Sequence, residues 1–281
     1  MCPHCRAFIS RDDKVCPYCS EKIGARPGNM APTQALESMV PDHSTMTLLF
    51  LLINAGFWIA ATIISANQGN NNAIIGLDSR TLILLGAKWR PEILFSGQWW
   101  RLITAGFLHG GVMHIFMNGM SLYYVGQHFE DYLGPARLFI VYIVATVTGF
   151  GLSLFVNPYS PSVGASAAIA GLVGALLAFS TFPGSPTAQG RRTYGYGTLG
   201  LLVLGFLGNW SGQMRTDNAA HIGGWIGGFL IALVLRFPGP PRSVREQFWK
   251  GVMYLCVALT LLSFWKMYAA FALLSQTPAY R

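Results

Sequence analysis

The chain has 281 residues, of which 52% are hydrophobic and 11% charged, and its formal net charge is +8. A soluble domain carries about 25% charged residues, so a soluble globular fold, which must cover its surface with polar side chains, is excluded. The 19 basic residues fall mostly in short breaks between long apolar runs, a pattern that orients membrane helices and argues against nucleic acid as a partner.

Residues 1–23 read MCPHCRAFISRDDKVCPYCSEKI. Each of the two C-P-x-C pairs, Cys2/Cys5 and Cys16/Cys19, places two thiolates on one side of a metal. Together they can supply the four-sulfur tetrahedron that structural Zn²⁺ prefers. A segment this short has no core of its own, so a metal would hold it. The expectation is a small zinc-ribbon-like module bound through Cys2, Cys5, Cys16 and Cys19. His4 could replace one thiolate. Two disulfides would instead require an oxidising compartment, and redox chemistry would come with a thioredoxin-like pattern that the flanking residues lack. Residues 24–45, rich in Pro, Gly, Ser and Thr up to Asp42, read as a flexible linker. The first apolar run begins only near Met46, so no cleavable secretory signal is expected.

Seven apolar segments follow, near 46–66, 109–130, 136–156, 166–183, 196–212, 218–236 and 247–273. A membrane-crossing helix needs about 20 mostly apolar residues. The fifth segment is weakened by Gly195, Gly197, Gly200, Gly205 and Gly208, which a packed bundle tolerates. The connection from Gln68 to Gly106 is long, and its short apolar patches alternate with Trp and Arg. That is the composition of a segment lying at the membrane interface. Cys256, inside the last segment, reads as a packing residue.

An odd number of spans puts the two termini on opposite sides. With the N-terminus cytoplasmic, twelve of the 19 basic residues lie inside: Arg6, Arg11, Lys14, Lys22, Arg26, Arg137, Arg191, Arg192, Arg236, Arg242, Arg245 and Lys250. Arg80, Lys88, Arg90, Arg101, Arg215, Lys266 and Arg281 lie outside, four of them in the long first loop. The excess of positive charge favours this orientation. It also keeps the cysteines in a reducing compartment, as zinc binding requires.

Polar groups within a bilayer are costly and usually functional. In LHGGVMHIFMN, His114 and Asn118 are four apart and share one helical face, while His109 belongs to the preceding loop or first turn. In SVGASAAIAGL, Ser166 opens a helix between the small residues Gly164, Ala165, Ala167 and Ala168. Free backbone N–H groups at a helix start suit a developing oxyanion, although a serine there can also serve only as an N-cap. In DNAAHIGGWIGG, Ala220, Gly224 and Gly228 form a stripe of small residues for close helix packing, and His221 is adjacent to it. Serine becomes a nucleophile when a hydrogen-bonded histidine takes its proton. The assumed topology brings the N-terminal ends of the second, fourth and sixth helices to the outer side, so the three groups share one depth.

These residues resemble the rhomboid family of intramembrane serine proteases. The resemblance covers roughly residues 46–236. It rests on Trp100-Arg101, His109, the H-x-x-x-N of His114 and Asn118, Glu130, the G-x-S of Gly164 and Ser166, and the A-H-x-x-G of Ala220 to Gly224. It implies an all-α polytopic membrane protein: a six-helix rhomboid core over 46–236, followed over 237–281 by a cytoplasmic loop and a seventh transmembrane helix. It implies a catalytic dyad of Ser166 as nucleophile and His221 as general base. His114, Asn118 and the Ser166 amide would be oxyanion donors, with Gly164 and His109 in support. The implied substrates are single-pass transmembrane proteins, cut near the outer face, and catalysis needs no cofactor. The loop from Gly208 to Asp217 would help gate substrate entry.

Two positions depart from the family pattern. Ala167 stands where a glycine is common, and Ala170 stands where some members place an aromatic residue that supports the histidine. Asp217, four before His221, could help to orient the base or could simply start the helix. A catalytically inactive rhomboid-like binder is the competing reading, but such relatives generally lack the serine or the histidine. A transporter would show an inverted repeat or a charged pathway, and the sequence has neither. The absence of a transit peptide and the short ribbon point to a bacterial inner membrane.

Overall fold

The structure is a computed structural model, and it describes residues 15–20, 45–210, 216–240 and 243–274. The chain divides into two units, Met1–Asp42 and His43–Arg281. In the first unit, residues 17–19 form a turn that the Ser20 amide closes on the Cys16 carbonyl at 2.9 Å. Ser20 takes a positive φ of 58°. Cys16 is buried and Cys19 half-buried. Cys2 and Cys5 lie outside the described residues. Among the described residues no group of three or more His, Cys, Asp or Glu is placed to hold a metal.

The second unit is helical, and no strand longer than a single bridge occurs among the described residues. Its helices are α1 (Thr45–Asn67), α2 (Ser79–Leu84), α3 (Arg90–Leu94), α4 (Arg101–Thr104), α5 (Val112–Val156), α6 (Ser166–Ser180), α7 (Arg191–Trp210), α8 (Asn218–Leu235) and α9 (Val244–Leu274). Four of them, α1, α5, α8 and α9, are long and apolar enough to cross a membrane. The unit is therefore that of a multi-pass membrane protein.

Helix α5 has 45 residues, about 68 Å at 1.5 Å per residue, or roughly twice the thickness of a hydrocarbon core. It is broken where Gly134 adopts φ 77° and ψ 166° just before Pro135. A left-handed φ favours glycine, and proline has no amide hydrogen to continue the ladder. The break makes two antiparallel arms, 112–133 (α5a) and 135–156 (α5b). The sequence places these spans at 109–130 and 136–156 and leaves a short loop between them. The first instead begins at Val112, and the loop is reduced to one kink. Counting the two arms separately, a helix stands at each of the seven expected segments, and they differ in length.

Two segments correct the sequence boundaries. α6 ends at Ser180 rather than 183 and has 15 residues, about 22 Å, which is too short to span. Ser166 therefore need not lie at a membrane surface. α7 begins at Arg191 rather than 196, and it is not among the described helices that are apolar enough to cross.

Polar contacts define two ends of the bundle. At one end, the Glu130 carboxylate accepts the amides of Met46 and Thr47, each at 2.9 Å, and the Thr47 hydroxyl at 2.7 Å. It thereby satisfies open N–H groups at the start of α1. At the same end, Arg137 makes a two-pronged ion pair with Glu246 at 2.8 and 2.9 Å and donates to the Arg236 carbonyl. This ties the start of α9 to the core. The other end carries the long first connection, the loop before α6 and the start of α8. The first connection folds into the short helices α2 to α4 and exposes Ile74, Ile75, Phe95 and Trp99. The core lies along α5b, α6 and α8, with Tyr142, Phe139, Leu172, Leu176, Phe179 and Ala232 buried.

Candidate active site

Helices α6 and α8 approach until their backbones touch. A Cβ at Gly224 would lie 2.1 Å from the Ala167 carbonyl oxygen, and one at Gly228 would lie 2.0 Å from that of Gly171. Gly171 is closed from two sides, since its Cβ would lie 2.1 Å from the Ala145 Cβ of α5b and 2.9 Å from the Gly224 carbonyl oxygen. Gly149 of α5b gives the same access to the Ala220 carbonyl. Ala220, Gly224 and Gly228 thus lie where α8 meets α5b and α6.

That contact sets the spacing of the two side chains. Ser166 Oγ and His221 Nε2 are 2.9 Å apart. Ser166 is not the N-cap of α6; Ala165 holds that position, so the serine hydroxyl is directed to the histidine instead of to its own helix.

His114 lies on the same side. The Gly110 amide donates to His114 Nδ1 at 3.2 Å. A neutral imidazole with Nδ1 accepting carries its proton on Nε2. That nitrogen faces Gly164, where a Cβ would sit 2.7 Å from His114 Nε2 and 3.7 Å from Ser166 Oγ. Gly164 also has φ 126°. A glycine is required there both by conformation and by space. Asn118 is the neighbour expected one turn on, and its side-chain amide donates to the His114 carbonyl at 2.9 Å. His109 is fully buried outside the helix, with its ring edge-on to His114 at a centroid distance of 5.2 Å. It supports His114 and has no described contact with Ser166.

Of the two departures from the family pattern, Ala167 has a local explanation. The Ala167 methyl is buried in a cluster of small and aromatic residues, Ala105, Phe150 and Ala220, opposite Gly149. A glycine on α5b leaves room for the methyl that α6 carries. Ala170 is buried, and no aromatic ring stacks on His221 among the described residues. Asp217 is the N-cap of α8 and accepts from the Ala220 amide at 3.1 Å. Residues 211–215, within the loop expected to gate entry, lie outside the described residues.

A hydroxyl beside an imidazole, with a second histidine ring close to the hydroxyl, is an arrangement able to carry out acyl transfer. The sequence profile of the rhomboid domain matches residues 96–237, which includes every one of these groups. The chain belongs to the rhomboid family. It is 34% identical over 78% of its length to the rhomboid protease GluP of Bacillus subtilis, covering 40% of that protein. It is 36% identical over 59% of its length to the RHOMBOID-like protein 7 of Arabidopsis thaliana, covering 52%. It is 30% identical over 66% of its length to the rhomboid-like protease 3 of Toxoplasma gondii, covering 70%. The chain spans between two-fifths and about half of the length of the first relatives it matches.

Several contributors at this end were not singled out from sequence. In sequence Lys88 is one more basic residue of the first loop, yet it is buried. Ser153 and Asn157 bond to Asp217, and Gly110 fixes the His114 tautomer. Isolated polar residues of this kind have no spacing pattern to reveal them.

Proposed function

We propose that this rhomboid is a serine-type intramembrane endopeptidase that cuts single-pass transmembrane proteins near the outer membrane face. The observation that carries the reading is the 2.9 Å approach of Ser166 Oγ to His221 Nε2. Ser166 Oγ attacks the scissile carbonyl carbon while His221 Nε2 takes its proton. The carbonyl π electrons move to oxygen. The His114 Nε2–H, the Asn118 amide and the Ser166 backbone N–H stabilise that charge. Collapse breaks the C–N bond, and His221 returns the proton to the leaving amine. Water then releases the acyl group by the same steps.

The chain's own groups suffice for this sequence, and it needs no cofactor. The zinc-ribbon reading of residues 1–23 is a separate proposal. It is supported by the four-cysteine spacing and by the turn that joins Cys16 to Cys19. Zn²⁺ there would hold the module together and takes no part in hydrolysis. The basic-residue distribution supports a cytoplasmic N-terminus and, for a bacterial source, the inner membrane.

The direct test uses purified protein in liposomes with a single-span substrate. Product from wild type and none from Ser166→Ala is the expected result. Equal absence of product from both would leave an inactive membrane-protein binder in place of a protease.

A further inference from the structure

The end of the bundle that carries Ser166 also holds a buried polar cluster that the hydrolysis does not use. Lys88, from the first connection, is 0% exposed. Its ammonium donates to the Asn157 carbonyl at 2.9 Å and the Ser160 carbonyl at 2.8 Å. Its backbone forms an antiparallel bridge with Ser162, with N–H···O distances of 2.9 and 3.1 Å. One residue thus grips the loop 157–165 through both its side chain and its main chain. That loop leads directly into Gly164 and Ser166.

The other side of the loop is held from α8. The Asn157 side-chain amide donates to Asp217 Oδ1 at 2.8 Å, and Ser153 of α5b donates to Asp217 Oδ2. Asp217 also caps α8, one turn before His221. Asn157 is the node: its carbonyl takes the Lys88 ammonium and its side chain reaches Asp217. Burial pushes the Lys88 ammonium below its ordinary value, and the Asp217 charge opposes that shift. Burial would raise the Asp217 carboxyl, but hydrogen bonds from Ser153, Ser162 and the Ala220 amide, with the Lys88 charge, hold it below its ordinary value. Asp217 is therefore a carboxylate at neutral pH, facing a cation across the loop.

We propose that Lys88, Asn157 and Asp217 form a clamp that fixes the loop bearing the nucleophile against the helix bearing the base, so that Lys88 and Asp217 are positioning residues for the Ser166–His221 pair. The proposal rests on the reading of that pair as the reacting groups. It explains how His221 is held without an aromatic ring at position 170. The helix itself is fixed at its first turn, and the ring follows the backbone. It also gives the first connection a mechanical role, since a displacement of Lys88 would be felt at Gly164. Misplacing reacting atoms by about 1 Å can cost roughly a hundredfold in rate, so a clamp outside direct contact with substrate still matters.

The test measures two quantities on full-length protein in detergent. One is the rate of labelling by a serine-reactive fluorophosphonate, normalised to the folded fraction. The other is hydrogen–deuterium exchange over 157–165 and 218–221. Asp217→Ala and Lys88→Met are expected to slow labelling about 10- to 100-fold per folded molecule and to speed exchange in the loop. Asp217→Asn, which keeps a capping side chain and an oxygen for Asn157, is expected to recover most of the labelling rate. A merely structural role would lower the melting temperature while the folded fraction labelled at the wild-type rate; that result, or unchanged exchange over 157–165, overturns the clamp. If wild type itself does not label, the protease reading fails, and exchange alone then decides the clamp: faster exchange keeps it and unchanged exchange removes it.

Discussion

Glycine has opposite meanings in α8 and in α7. In α8, Gly224 and Gly228 leave no room for a methyl, because carbonyl oxygens of α6 stand 2.1 and 2.0 Å from the Cβ positions. In α7, a Cβ at Gly195 or Gly200 would meet nothing within 4 Å. One helix uses glycine to bring a backbone close. In its first half the other carries two glycines, Gly195 and Gly200, that packing does not require and that cost helix propensity, whereas its Gly205 lies against Asn218, whose Oδ1 would stand 2.2 Å from a Cβ. The difference is functional. α8 must hold His221 at hydrogen-bond distance from a serine on its neighbour, and no side chain can stand between the two helices. α7 is joined to α8 by the indole of Trp225 donating to Thr198 at 3.0 Å, and to α5a by the His128–Tyr194 contact at 2.7 Å.

Substitutions can break or sharpen that contrast. The largest effect is expected at the reacting pair, where His221→Ala or Ser166→Ala should lower peptide cleavage by about 1,000-fold or more while leaving the fold intact by circular dichroism. Gly164→Ala comes next. It combines a φ of 126° with a clash against His114, and removal of one oxyanion donor typically costs about 100- to 1,000-fold. Cleavage rate per folded molecule, measured beside the melting temperature that the strain also lowers, checks it. Gly224→Ala should act through stability, with overpacking costing about 1–3 kcal/mol in a thermal or denaturant unfolding assay, and with labelling lost as the helices part. The smallest effect is expected from Gly200→Ala, which should leave activity near wild type and stabilise α7 by roughly 0.5–1 kcal/mol. A severe loss from Gly200→Ala, or none from Gly224→Ala, would erase the distinction between the two helices.

Much of this was legible in the sequence. Composition alone gave the membrane, because 11% charge cannot cover a soluble surface. The spacing of His114 and Asn118, the small residues around Ser166, and the stripe beside His221 identified the groups that the fold brings together. Helix lengths were read less well. Hydropathy does not see that Gly134 and Pro135 make a kink rather than a loop, nor that α6 stops short of a full span. The glycines of α7 and α8 also look alike in sequence, since only the partner backbone distinguishes them. Lys88 was hidden for a related reason. A lysine in an interfacial loop reads as an orientation signal, and its burial depends on carbonyls of Asn157 and Ser160, some 70 residues away in sequence. Nor does the sequence show that the Ala167 methyl stands opposite Gly149.

The central claim is that Ser166 and His221 act as one chemical unit, and it can be tested without a known substrate. Purified wild type and His221→Ala are incubated with a fluorophosphonate probe, with Ser166→Ala as the blank. The account predicts that wild type is labelled at Ser166 and that His221→Ala is not labelled above the blank. Equal labelling of wild type and His221→Ala, or no labelling of wild type, would contradict it.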